Sequence, residues 1–278
     1  SKGSSSDWMK DVPDTSLLSE ISIPGSHDSG AVYSLGDLTG KCQDANIASQ
    51  LTYGVRFLDV RLKIVGNDLK VCHGIVDERD DFPNIITILE EFLLAHPTET
   101  VLVSIKDEIS GDDPIQFDKL LTDLISKSAT FFTEDRIPKL GEVRGKAVLL
   151  SRYENNSLGI PLYKGWMEPS ENKNTFEIKQ GGSIFHIQDN YRLENVDIKW
   201  TEFAECLSFA NDATSDVLTL NFASGYLTSG FPMSYSVPVA KHMNPLIERE
   251  SVNHKKVGTV IMDFVTEGLC KAIYGRNF

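Results

Sequence analysis

An α/β barrel is the fold class this sequence predicts, and three observations point to it. The length of 278 residues suits one (β/α)8 domain of roughly 250 residues. Apolar β-like runs alternate with helix-patterned stretches from end to end. Several of those runs are near-continuous Val/Ile/Leu, the composition of strands in a helix-covered parallel sheet.

In chain order the strand candidates are EISIPG (20–25), RFLDVRLKIV (56–65), LKVCHG (69–74), TVLVSIKD (100–107), KAVLLSR (146–152), SIFHIQD (183–189), VLTLNFAS (217–224) and TVIMDFV (259–265). Eight is the count a closed parallel barrel requires. The second and third also fit a hairpin turning at VGND (65–68). Helical spacing appears in FPNIITILEEFLLAHP (82–97), bounded by prolines, and in DPIQFDKLLTDLISKS (113–128), with an Asp-Pro start. DIKWTEFAECLSFAND (197–212) and EGLCKAIYGRNF (267–278) complete the set.

No Pro/Gly/Ser-rich linker divides the chain after residue 6, and no internal repeat is visible. The expected organisation is a flexible leader over residues 1–10 and a single catalytic domain over 11–278. The leader SKGSSSDWMK lacks the apolar stretch of a signal peptide. Long loops at 31–45 and 153–182 are expected to build the mouth of the barrel.

A balance of 27 Lys+Arg against 40 Asp+Glu, net −13, argues against nucleic acid as a partner. It also disfavours broad electrostatic docking on an anionic membrane, so an anionic substrate must be held by a few local cations. No apolar run approaches the ~20 residues needed to cross a bilayer. The cysteines at 42, 72, 206 and 270 show no zinc spacing, and buried thiols and disulfides both fit them.

Ionisable residues interrupt the apolar strands mainly at their C-terminal ends, where charge is costly unless paired or used. His27 and Asp28 follow the first strand, and Asp59 and Arg61 lie in the second. His73 ends the third, Lys106 and Asp107 the fourth, and Arg152 the fifth. Asp189 and Tyr191 follow the sixth, and Asp263 lies in the last. Together they form a constellation around one mouth. Asp59 and Arg61, two apart, share a strand face. The pair reads either as a structural ion pair or as a carboxylate holding a guanidinium where phosphate charge develops. His27 and His73 can divide the roles of base and acid near neutral pH. Two imidazoles and a cation are the equipment for cleaving a phosphodiester through an internal hydroxyl.

SHDS (26–29) is not a serine-hydrolase triad, because adjacent residues on one turn cannot converge on one another. His27 is instead expected to find Asp263, whose strand neighbours the first when the barrel closes. Two histidines plus Asp59 could ligate a metal, but Arg61 in the same cluster opposes a cation. No HExxH, EF-hand or Glu-x-Asp pattern is present.

With these residues placed, the chain resembles the bacterial phosphatidylinositol-specific phospholipases C. The resemblance rests on SIPGSHDS, GVRFLDVRL, CHG, TVLVSIKDE, LLSR, IQDNY, LNFASG and VIMDF in that order, over roughly residues 16–270. It implies a distorted, incompletely closed TIM barrel. It implies that His27 is the general base for the inositol 2-hydroxyl, oriented by Asp263. Arg61, held by Asp59, would stabilise the pentacoordinate phosphorane. His73, assisted by Asp28, would protonate the departing diacylglycerol oxygen. Lys106, Arg152, Asp189 and Tyr191 match positions that bind the inositol ring, with Tyr191 as stacking platform.

Eukaryotic relatives hold calcium where this chain has Arg61 and Asp28, so the resemblance implies metal independence and no cofactor. It also implies a secreted or cell-surface monomer that touches membrane transiently. Among the loop aromatics, Tyr163 and Trp166 are open to two readings, insertion into the membrane or burial in the fold. The acidic loop VDERDDF (76–82) reads as a solvated charge run that would repel extra phosphates if it bordered the mouth. Leu62, Lys63 and Cys72 depart from the family pattern. Two other readings are a metal-dependent glycerophosphodiester phosphodiesterase, which would need Glu-x-Asp where Arg61 stands, and a non-catalytic inositol-phosphate-binding module, which needs neither acid nor base.

Overall fold

The computed structural model describes residues 4–33, 40–74, 76–109, 111–229 and 236–278. Its strands are β1 (Ile23–Ser26), β2 (Phe57–Val65), β3 (Asp68–His73), β4 (Val76–Asp81), β5 (Val101–Asp107), β6 (Phe131–Phe132) and β7 (Ala147–Arg152). There follow β8 (Ile160–Pro161), β9 (Thr175–Gln180), β10 (Ser183–Gln188), β11 (Arg192–Leu193), β12 (Val217–Phe222), β13 (Tyr226–Leu227) and β14 (Thr259–Met262). The helices are α1 (Ile47–Tyr53), α2 (Phe82–Ala95), α3 (Pro114–Ser126), α4 (Leu140–Val143), α5 (Val196–Asp212), α6 (Val237–Glu250) and α7 (Glu267–Tyr274).

The main sheet runs β6-β7-β5-β2-β1-β14-β12-β10-β9. Every neighbouring pair along it is parallel except the last, β10 with β9. Its two edges do not pair with one another, so the sheet curls into an unclosed barrel rather than a sealed one. All eight sequence-predicted strands form. The third, however, is not a parallel stave: β3 pairs antiparallel with β2, Leu62 opposite Val71, as the hairpin alternative foresaw. The eighth parallel position is taken by the two-residue β6.

Side chains from the staves and the covering helices merge into one buried apolar cluster. Helix starts follow their capping chemistry. Asp81, Asp113, Asn195 and Thr266 each accept a backbone N–H of the first turn of α2, α3, α5 and α7. Such a cap contributes about 1 kcal/mol.

Two expectations fail. Residues 4–10 are not a flexible leader: Ser5–Asp11 forms a 3-10 helix in which Trp8 and Met9 are buried. Trp8 stacks on Tyr274 at 5.3 Å and its Nε1–H donates to Gly54 O at 2.9 Å. One large aromatic outweighs the small polar residues Ser4, Ser5, Ser6 and Asp7 before it, because its burial is worth a few kcal/mol. The acidic run at 76–82 is not a loop either. It forms β4 and the start of α2, and Glu78 turns inward, accepting Tyr33 N–H at 2.8 Å. Part of the predicted 31–45 loop, residues 34–39, lies outside the described residues.

Candidate active site

Strand register delivers the first pair. β1 and β14 align Ser26 with Met262, so the next residues, His27 and Asp263, leave neighbouring strand ends together. His27 N–H donates to Met262 O at 2.9 Å, and His27 Nδ1 lies 2.8 Å from Asp263 Oδ1. Gln43 Nε2 bonds both the His27 and Met262 carbonyls at 2.9 Å, and Asn244 Nδ2 donates to Asp263 O at 2.9 Å. The two strand ends are thereby stapled. Burial disfavours a charged His27, but the Asp263 carboxylate outweighs it, and the imidazole pKa is raised above its ordinary value.

Asp59 is the hub of the next group. It receives Arg61 Nε at 3.3 Å on Oδ1, and on Oδ2 both Arg61 Nη2 at 3.1 Å and the Asp28 N–H at 2.9 Å. His27 Nε2 is 4.0 Å from the same Oδ2. Burial would raise the Asp59 pKa, yet Arg61 and His27 hold it well below the usual carboxylate range. The guanidinium is braced from its other side by Glu108, with Nη1 to Oε2 at 3.6 Å.

Asp28 adopts φ +43°, a left-handed conformation that Asp tolerates better than most residues. The turn drives its carboxyl inward, fully buried, where neither oxygen has a hydrogen-bond partner. His73 Nε2 stands 3.5 Å from Asp28 Oδ2. Burial pushes the Asp28 carboxyl up to about 8, while burial, His27 and Arg61 lower the His73 pKa. Gly40, at φ +46°, presses on the ring so closely that a Cβ there would lie 2.3 Å from Nδ1. Only glycine fits.

A row of cations crosses the adjoining staves, because register aligns Arg61 with Lys106 and Lys106 with Arg152. Arg152 Nη2 is 3.6 Å from Asp189 Oδ2, and its guanidinium lies 3.6 Å from the centre of the Trp166 ring. Trp166 Nε1–H donates to the same Asp189 oxygen at 3.1 Å. Tyr191 stands at the rim, its hydroxyl bonded to Glu168.

Eight of the ten sequence-predicted site residues line one cavity of about 290 Å³, and Asp28 and Asp59 lie directly behind it. Asp107 does not belong. Side chains alternate along a strand, so Lys106 and Glu108 face the cavity while Asp107 turns towards Asp112. Glu108 was thus legible from the period-two rule. Trp166, for which the sequence left insertion and burial both open, packs against Phe176 and Phe222 beneath Arg152. Cys42 and Glu168 also line the cavity, and no spacing signal marks either. All four cysteines are free and buried.

The family model of the phosphatidylinositol-specific phospholipase C X domain matches residues 16–153, the span that carries His27, Asp28, Asp59, Arg61 and His73. The chain belongs to the bacterial phosphatidylinositol-specific phospholipase C family. It is 28% identical to a 1-phosphatidylinositol phosphodiesterase of Listeria monocytogenes, over 97% of this chain and 84% of that protein. A Staphylococcus aureus protein of the same name is 29% identical over 92% of this chain and 87% of its own length. Among solved structures, one of the S. aureus phospholipase superposes with a TM-score of 0.85 at 26% identity, covering 100% of this chain and 99% of that one. The Listeria phospholipase structure gives 0.82 at 26% identity, covering 99% of this chain and 100% of that one. The family fold, a distorted and incomplete TIM barrel, is the one found here.

Proposed function

We propose that this chain is a metal-independent phosphatidylinositol-specific phospholipase C, cleaving phosphatidylinositol to diacylglycerol and inositol 1,2-cyclic phosphate. The carrying observation is that His27 and His73, each backed by a buried carboxylate, share one cavity with Arg61.

The chemistry follows from the positions. Asp263 occupies His27 Nδ1, which leaves Nε2 to take the proton of the inositol 2-hydroxyl. That oxygen forms the new bond to phosphorus as the bond to the glycerol oxygen breaks. Charge gathers on the phosphoryl oxygens, and Arg61, fixed by Asp59 and Glu108, offers them preorganised donors. The Asp28–His73 pair supplies the proton to the departing diacylglycerol oxygen. Lys106, Arg152 and Asp189 present charge to the ring hydroxyls, and Tyr191 flanks the ring. An Asp-braced guanidinium does here what a divalent cation does in metal-dependent relatives.

Met167, exposed next to the cavity-lining Glu168, and the exposed Tyr163 supply apolar surface for transient membrane contact. Work outside the cell or at its surface accords with this reading, and cell fractionation tests it. Phosphorus NMR of phosphatidylinositol turnover in excess chelator tests the reaction itself. The expected product is a cyclic phosphodiester, and loss of activity in chelator would overturn metal independence.

A further inference from the structure

Cys42 plays no part in the chemistry above, yet its thiol lies between the two imidazole–carboxylate pairs. Sγ is within 4.8 Å of donor atoms of Asp28 and His73, which are equally near each other, and the same holds for His27 and Asp263. The second set is committed, because His27 Nδ1 already holds Asp263 at 2.8 Å. The first is not. The Asp28 carboxylate is fully buried, has no hydrogen-bond partner and is aimed at His73. A hydrogen bond from Cys42 Sγ to Gly40 O at 3.5 Å, together with the close fit of Gly40 on the His73 ring, holds thiol and imidazole on one backbone segment.

We propose that Asp28, Cys42 and His73 form a binding site for a thiophilic divalent cation of the zinc class, whose occupation inhibits the enzyme. One thiolate, one imidazole and one carboxylate are a zinc donor set, and the fourth position is left to water. Tetrahedral zinc holds its donors about 3.3–3.8 Å apart given bonds of about 2.0–2.3 Å, so shifts of about 1 Å bring the three together. On binding, Cys42 gives up its S–H proton and the Asp28–His73 pair the proton it holds, both to solvent, and a lone pair of His73 and one of Asp28 go to the metal. Arg61 does not block the cation, because Asp59 and Glu108 flank and neutralise it. Calcium and magnesium, which take oxygen ligands, do not compete. The inhibitory consequence rests on the phospholipase reading, since a metal on Asp28 and His73 removes the proton donor; the binding itself does not.

The test is a titration of the full chain with Co²⁺, read by absorption. A thiolate-to-cobalt charge-transfer band is expected, displaced by Zn²⁺, unaffected by Ca²⁺ and missing in Cys42→Ala. In parallel, Zn²⁺ suppresses wild-type phosphatidylinositol turnover reversibly with chelator, and Cys42→Ala, active without metal, needs about tenfold or more Zn²⁺. Cys42→Ser, near in size, carries the comparison if the alanine variant does not fold. No band in the wild type, a band undiminished in both variants, or unchanged zinc sensitivity in them overturns the proposal. If no preparation turns over phosphatidylinositol, the phospholipase reading fails while the cobalt spectrum still decides the site.

Discussion

His27 Nδ1 and Asp263 Oδ1 lie 2.8 Å apart although 236 residues separate them in the chain. The contact exists because β14 closes against β1, and it does two things. It fixes the tautomer that leaves His27 Nε2 free, and it raises the imidazole pKa against the opposing effect of burial.

The base must be neutral to work, so the acid limb of kcat/KM against pH falls above the ordinary histidine value of about 6.5. Stability runs the other way. The charged pair stabilises the fold fully below about 6.5, and that contribution is lost as pH rises through the raised folded-state value. Asp263→Asn is expected to lower kcat by about 10²–10⁴ and to move the acid limb to lower pH. A pH–rate profile with an unmoved limb would deny Asp263 this role.

On the proposed mechanism, Asp28 is expected to set the opposite limb. With its carboxyl pushed up to about 8 by burial, the Asp28–His73 pair keeps a proton at neutral pH and loses it above. Turnover is therefore expected to decline above about pH 8. The raised carboxyl favours folding below about 3.9, and that share is lost as pH rises towards 8. Asp28→Asn keeps the φ +43° turn, since Asn tolerates that region. It is expected to lower kcat about 10²–10⁴ and erase this alkaline limb. An unchanged alkaline limb in the variant, read from kcat/KM, would assign the acid elsewhere.

Arg61→Lys preserves charge but loses the fork that grips both Asp59 oxygens. A drop of about 10²–10³ in kcat is expected, with KM moving far less. Steady-state kinetics in chelator check it. A near-normal kcat would mean that point charge alone suffices.

The proposed membrane contact can be separated from chemistry. Met167→Ala with Tyr163→Ala removes exposed apolar surface, and affinity for phosphatidylcholine vesicles is expected to fall several-fold. Hydrolysis of a soluble inositol phosphodiester is expected to stay level. Vesicle sedimentation beside that assay checks both, and equal losses in the two would place these side chains in the pocket instead.

The apolar strands and four of the helices were legible because burial leaves a periodic trace. The cluster of His27, Asp59, Arg61 and Asp263 was legible because charge at strand ends needs a reason. Signals failed where tertiary context overrode local pattern. Helix α6 carries Pro238 in its first turn and Pro245 within it, and no helical pattern survives that reading. Trp166 looked like a loop aromatic, and only the opposite sheet edge, with Phe176, shows it roofed in. Asp107 and Glu108 take opposite strand faces, a distinction that the period-two rule carries but that attention to strand ends alone passes over.

A buried ion pair lies at the end of the barrel away from the chemistry. Arg56 and Glu99 are both fully buried, with Nη2 to Oε1 at 3.0 Å. The guanidinium also donates to the carbonyls of Leu51, Val55, Ser5 and Ser6. Glu99 in turn takes Met9 N–H at 3.2 Å and Thr98 Oγ1 at 2.6 Å. The N-terminal turn is thus tied to the sheet through one ion pair. Removing one partner strands the other charge in the interior, so Glu99→Ala is expected to cost about 3–5 kcal/mol of stability. Urea unfolding followed by fluorescence measures the loss. Because the pair touches no cavity residue, kcat of the folded fraction should hold. A fall in kcat alongside intact stability would mean that this network reaches the site.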